Sequence, residues 1–84
     1  MKTTESIQEF QMAAILKEEL LTAVEKTMAA DGISQGEVAR RIGAIRSNIN
    51  KIMRRKYPVS VDFLLKMAES IDLNVEMKVK KAKT

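Results

Sequence analysis

Apolar residues at Phe10, Ala13, Leu16, Leu20, Val24 and Met28 recur at spacings of three and four, the period of a helix that buries one face. Ser6, Ile7, Gln8, Glu9 has the form of a capping box ahead of this run, and Asp31 with Gly32 closes it. With neither Pro nor Gly inside it, the run fits one long helix or a short arm followed by the first helix of a domain. Glu18, Glu19 and Glu25, interleaved with Lys17 and Lys26, mark the solvated side.

A second start signal follows at Ser34, Gln35, Gly36, Glu37. The Ser34 hydroxyl is expected to accept the Glu37 amide, and the Glu37 carboxylate to reach back to the Ser34 amide. Val38, Ala39 and Ile42 form the stripe of this helix, and Gly43 is placed to end it in the left-handed conformation. Beyond the turn, Ile45, Ile49, Ile52 and Met53 fall on one helical face. Ser47, Asn50, Lys51 and Arg54 fall on the opposite one, with Arg46 and Asn48 at the flanks. Gln35 to Arg54 thus reads as two short helices joined at a sharp angle, and the small Ala39 lets the second cross the first closely.

Pro58 disfavours helix at Tyr57, so Arg54 to Pro58 reads as a loop. Ser60 caps a further helix in which Phe63, Leu64, Met67, Ala68 and Ile71 face inward. The period then changes: Val75, Met77 and Val79 alternate with Glu76, Lys78 and Lys80, the pattern of a strand. No second strand is evident in the chain, so the expected partner is the same segment of a second copy, with Val75, Met77 and Val79 as dimerisation residues. The expected organisation is a helical domain over 1–73 and a strand with a basic tail over 74–84.

Charge sharpens this picture. The formal net charge is +4, but Val38 to Val61 holds seven basic residues (Arg40, Arg41, Arg46, Lys51, Arg54, Arg55, Lys56) and no acid, whereas Met1 to Glu37 carries a net −4. Positive charge therefore sits on the paired helices, as a polyanion-binding surface requires. The chain has no Cys and no His, which removes disulfides, thiolate metal sites and the commonest catalytic bases and zinc ligands. Neither enzymatic activity nor a cofactor or metal is expected. Met12, Met28, Met53 and Met67 lie on or beside apolar stripes, where Met serves as a core filler. Phe10, Tyr57 and Phe63 are the only aromatic residues, too few for the stacking platforms of an RNA-binding module. No stretch is apolar enough to span a bilayer and the first residues lack signal-peptide character, so a cytoplasmic protein is expected.

Ser34 and Gln35 opening the unit, Ala39, Gly43, the aliphatic Val38, Ile42, Ile49 and Ile52, and the stretch Ser60 to Ala68 together resemble the phage-repressor-like helix-turn-helix family, the XRE or Cro/CI type. The likeness spans about residues 17 to 73. Ending on an alternating segment, the chain is also similar to a small HigA-like antitoxin subset. Two positions depart from the family pattern. Ile45 stands where a capping Ser, Thr or Asp is usual, which moves the expected helix start to Ser47, and Arg55 stands where Gly is usual.

The resemblance implies an all-α, lambda-repressor-like bundle of four to five helices with a C-terminal β-strand pairing across a homodimer. It implies a sequence-specific, double-stranded-DNA-binding repressor whose second short helix enters the major groove. Arg46, Ser47, Asn48, Asn50 and Lys51 are the expected groove residues, and Arg54, Arg55 and Lys56 the expected phosphate contacts. Gln35 is expected to touch phosphate and to brace the first residue of the recognition helix. The alternative is an antitoxin that binds a protein toxin and regulates its own operon.

Overall fold

The computed structural model describes residues 2–76, with the side chains of 11–76. Four helices follow one another: α1 (Lys2–Asp31), α2 (Gln35–Ile42), α3 (Arg46–Met53) and α4 (Val61–Ser70). The first apolar run is therefore a single helix, and its 30 residues at about 1.5 Å each account for the 44 Å long axis of the molecule. Ser6 lies inside it rather than at its start. Gly32 ends α1 with φ 66°, and the Ile33 amide donates to the Met28 carbonyl at 2.9 Å, the closure of a Schellman motif. Among the described residues no helix is long and apolar enough to cross a membrane.

The core is one cluster. Leu20, Leu21, Val24 and Met28 of α1 meet Val38 and Ala39 of α2, Ile49, Ile52 and Met53 of α3, and Leu64, Met67, Ala68 and Ile71 in and after α4. α2 packs on both α3 and α4, and α1 lies along α4. Ala39 is 3% exposed at the α2–α3 crossing, as its size demands.

Among the described side chains of α1, burial begins at Leu16. α4 is 10 residues long against the 30 of α1, and Met12 and Ile15 stand 70% and 59% exposed. Ala13 is exposed too, so the expected stripe is core only from Leu16 onward, and Met12 is not a core filler. The side chain of Phe10 lies outside the described residues.

Both expected caps at Ser34 and Ser60 form, the hydroxyls accepting the Glu37 amide at 3.0 Å and the Phe63 amide at 3.1 Å. The reciprocal half of the first box does not form. Glu37 instead accepts from Arg40 and from Arg41 Nε, because two guanidinium groups within one turn compete better for a carboxylate than a single amide does.

After α4 the chain turns at Asp72, φ 59°, and the Leu73 amide donates to the Ala68 carbonyl at 2.9 Å. The described residues contain no strand: Asn74 to Glu76 are irregular, since a strand needs a ladder partner and this segment has none within the described chain. Met77 and Val79 lie outside the described residues.

Leu64, fully buried, should be the more sensitive of two positions. In urea unfolding followed by circular dichroism, Leu64→Ala should cost about 2–5 kcal/mol through the cavity it leaves, and Ser34→Ala about 1 kcal/mol through the lost cap.

Candidate nucleic-acid interface

The angle between α2 and α3 is set by three residues. Gly43 takes φ 72° and ψ 32°, and its amide donates to the Ala39 carbonyl, which also accepts from Ala44 at 2.8 Å. Such a double closure needs a left-handed residue, which Gly supplies without a Cβ penalty. Ile45 then returns to an extended conformation, φ −95° and ψ 135°, and α3 begins at Arg46, one residue earlier than the Ser47 start expected from the sequence.

This start has two effects. No side chain caps α3, and of its first amides that of Asn48 donates to the Ile45 carbonyl at 2.9 Å. Ile45, expected on the packing face with Ile49 and Ile52, is 65% exposed, because its extended backbone rotates its side chain off the helical stripe. It lies instead at a shallow groove with Asn48, Tyr57 and Phe63. The signal for this was the missing cap: an Ile in a capping position is outside the helix whose period it happens to match.

The solvent face of α3 carries Arg46, Ser47, Lys51 and Arg54, all exposed, with Asn48 and Asn50 half-buried at its edges. Asn50 is held in place. Its Nδ2 donates to Gln35 Oε1 at 3.1 Å across the two helices, so Gln35 braces the middle of α3 and not Arg46, its first residue. The Gln35 amide nitrogen and the Asn50 carbonyl oxygen remain available for other bonds.

The seven basic residues of the unit divide into two sets. Arg40 and Arg41 pair with Glu37, and Arg41 Nη1 also donates to the Ser70 carbonyl at 2.6 Å, tying α2 to the end of α4. Arg55 bridges Glu18 and Glu25 of α1. Arg46, Lys51, Arg54 and Lys56 make no ion pair with any described residue. These four, on α3 and just past it, are the charges left for an outside anion.

Ion pairing leaves its mark on the carboxylates. The Arg55 hydrogen bonds hold the Glu18 carboxyl below its ordinary value, and Arg41 with Arg40 does the same for Glu37. Arg55 is pushed up in turn, chiefly by Glu18 and then by Glu25. Arg55 occupies a left-handed backbone position, φ 60°, where the resemblance noted above favours Gly, and a side chain there costs about 1–2 kcal/mol.

Two short helices joined by a glycine turn, with a basic outer face on the second, define a helix-turn-helix protein. A family model described as a helix-turn-helix domain matches residues 4–80, and the chain belongs to that family. No curated protein and no solved structure matches it.

Depressed carboxyl values stabilise the fold at pH values above the unfolded-state value, and that contribution is lost as the pH falls through the folded one. Stability should therefore decline on acidification below about pH 4.3, the ordinary Glu value. In urea titrations across pH 2–6, Glu18→Gln and Glu37→Gln should each flatten this acid limb.

Proposed function

We propose that the chain is a sequence-specific, double-stranded-DNA-binding transcription regulator, a homodimeric repressor of the cytoplasm, with α3 in the major groove. One observation carries this reading: Arg46, Lys51, Arg54 and Lys56 form no ion pair with any described residue while the remaining basic residues of the motif are engaged. Arg46 at the amino end of α3 suits bidentate pairing with guanine, and Asn50, oriented by Gln35, suits adenine. Ser47, Asn48 and Lys51 line the same approach. Arg54, Lys56 and the Gln35 amide nitrogen serve the phosphates, which position the protein without reading sequence. Exposed Ile45 adds an apolar contact suited to a thymine methyl.

Dimerisation is assigned to the 74–84 segment beyond the 1–73 domain, through Val75, Met77 and Val79. Val75 borders an apolar groove with Leu16, Leu20, Ala23 and Leu73, which supports a protein contact at this end of the molecule. The same groove favours, as a second reading, an antitoxin that engages a protein toxin there. A small ribonuclease encoded by a neighbouring gene would favour it.

Selection of bound duplexes from random DNA tests the main reading. The selected site should be an inverted repeat with half-sites about one helical turn apart. With about four cations from each copy against the duplex, Arg46, Lys51, Arg54 and Lys56, log affinity should fall against log salt with a slope of roughly −7. A slope near zero would refute nucleic-acid binding. Arg46→Ala should lose about 1–3 kcal/mol at one base position and relax preference there.

Truncation after Leu73 tests the dimer. Light scattering should find the truncated protein largely monomeric, with little preference for the full site over a half-site. A tight dimer after truncation would move the interface to the exposed face of α1.

A further inference from the structure

Arg55 was grouped by its sequence neighbours with the phosphate contacts, but its guanidinium has no donor to spare. Nε donates to Glu18 Oε1 at 3.2 Å and Nη2 to Glu18 Oε2 at 2.5 Å. Nη1 donates to Glu25 Oε2 at 2.7 Å and to the Met53 carbonyl at 2.6 Å, and Nη2 reaches Glu25 Oε1 at 3.4 Å. An arginine has five N–H groups, and all five are directed at these three residues.

Placement gives the cluster its meaning. Glu18 and Glu25 lie seven residues apart on α1, two turns along one face, and Arg55 sits two residues beyond the last residue of α3. Between these elements is an open cleft bordered by Leu21, Ile52, Tyr57 and Pro58. α3 itself packs chiefly on α2. Its amino end is held by the Gly43 turn and its middle by Gln35, whereas its carboxyl end is joined to α1 across the cleft by Arg55. The left-handed conformation at Arg55, unfavourable for a side chain, aims the guanidinium at α1.

We infer that Arg55 is a positioning residue for DNA binding: clasped by Glu18 and Glu25, it sets the carboxyl end of α3 on α1 and contacts no phosphate itself. This rests on the DNA-binding reading above. It makes two acidic residues of α1 contributors to binding a polyanion, contrary to what their charge alone predicts.

Three variants separate a clasp from a phosphate ligand. Arg55→Gly removes the side chain at a backbone position that Gly accepts readily, so the fold is kept. Arg55→Lys keeps the charge, which suffices for a phosphate but cannot bridge two carboxylates. Glu18→Gln with Glu25→Gln opens the clasp while making the protein more positive. Affinity for the selected duplex is measured across a salt series, and amide exchange of Arg54 and Lys56 in the DNA-free protein.

The clasp predicts that all three variants lose affinity, by about tenfold, with wild-type salt slope and base preference, and that both amides exchange faster. Tighter binding by the double Gln variant overturns it, as does full recovery in Arg55→Lys. A slope reduced by about 0.9 for each Arg55 removed, or three variants indistinguishable from wild type, does so too. Should the wild-type protein select no duplex, it is the DNA-binding reading that has failed. The exchange measurement then decides the clasp alone, and unchanged exchange refutes it.

Discussion

A helix of eight residues does not hold itself together in water, because nucleating the first turn costs more than so few hydrogen bonds return. Both helices of the motif, α2 and α3, have that length. Everything else in the fold can be understood as what they need. Val38, Ala39, Ile49 and Ile52 are almost wholly buried, and the surface they bury against is supplied by Leu20, Leu21 and Val24 of α1 and by Leu64 and Met67 of α4. Since α2 and α3 have little stability apart from this cluster, their mutual angle is as rigid as the core itself.

Electrostatics divides the labour among residues of one sign. Arg40, Arg41 and Arg55 are spent inside the molecule: Arg41 ties α2 to the last turn of α4, and Arg55 ties the end of α3 to α1. Exposed ion pairs of this kind add little to stability in water. What they and the Arg41 bond to the Ser70 carbonyl do is join elements: α2 to the end of α4, and the segment after α3 to α1. The cations left over are gathered on one side of α3, where no described acid neutralises them. A strong outward field there follows from the internal pairing as much as from the number of basic residues.

α1 has a different relation to the rest. From Leu16 onward it contributes to the core, whereas Met12 and Ile15 stand in water. Further along α1, Leu16, Leu20 and Ala23 line an apolar groove with Leu73 and Val75. In the reading proposed above, the DNA contact is assigned to α3 and the partner contact to the groove beside Val75.

Local chemistry was enough to read much of this from the chain. The Ser34 and Ser60 caps, the Gly32 and Gly43 terminations and the inward residues of α4 depend on interactions within a few positions, so their residue types announce them. The polar face of α3 was legible for the same reason. What stayed hidden depended on distance in sequence. Whether the stripe of α1 is core is decided by how far α4 reaches, which no period within α1 encodes. Ile45 matches the spacing of its helix but lies outside it, because the backbone of the turn and not the pattern sets its direction. Arg55 sits in a run of basic residues indistinguishable by composition, and only the fold brings Glu18 and Glu25, more than two dozen positions earlier, to its guanidinium. Periodicity and caps determined the elements; which charges stay free and which hold the structure together was decided by tertiary packing, because an ion pair is set by distance in space and a sequence records only distance along the chain.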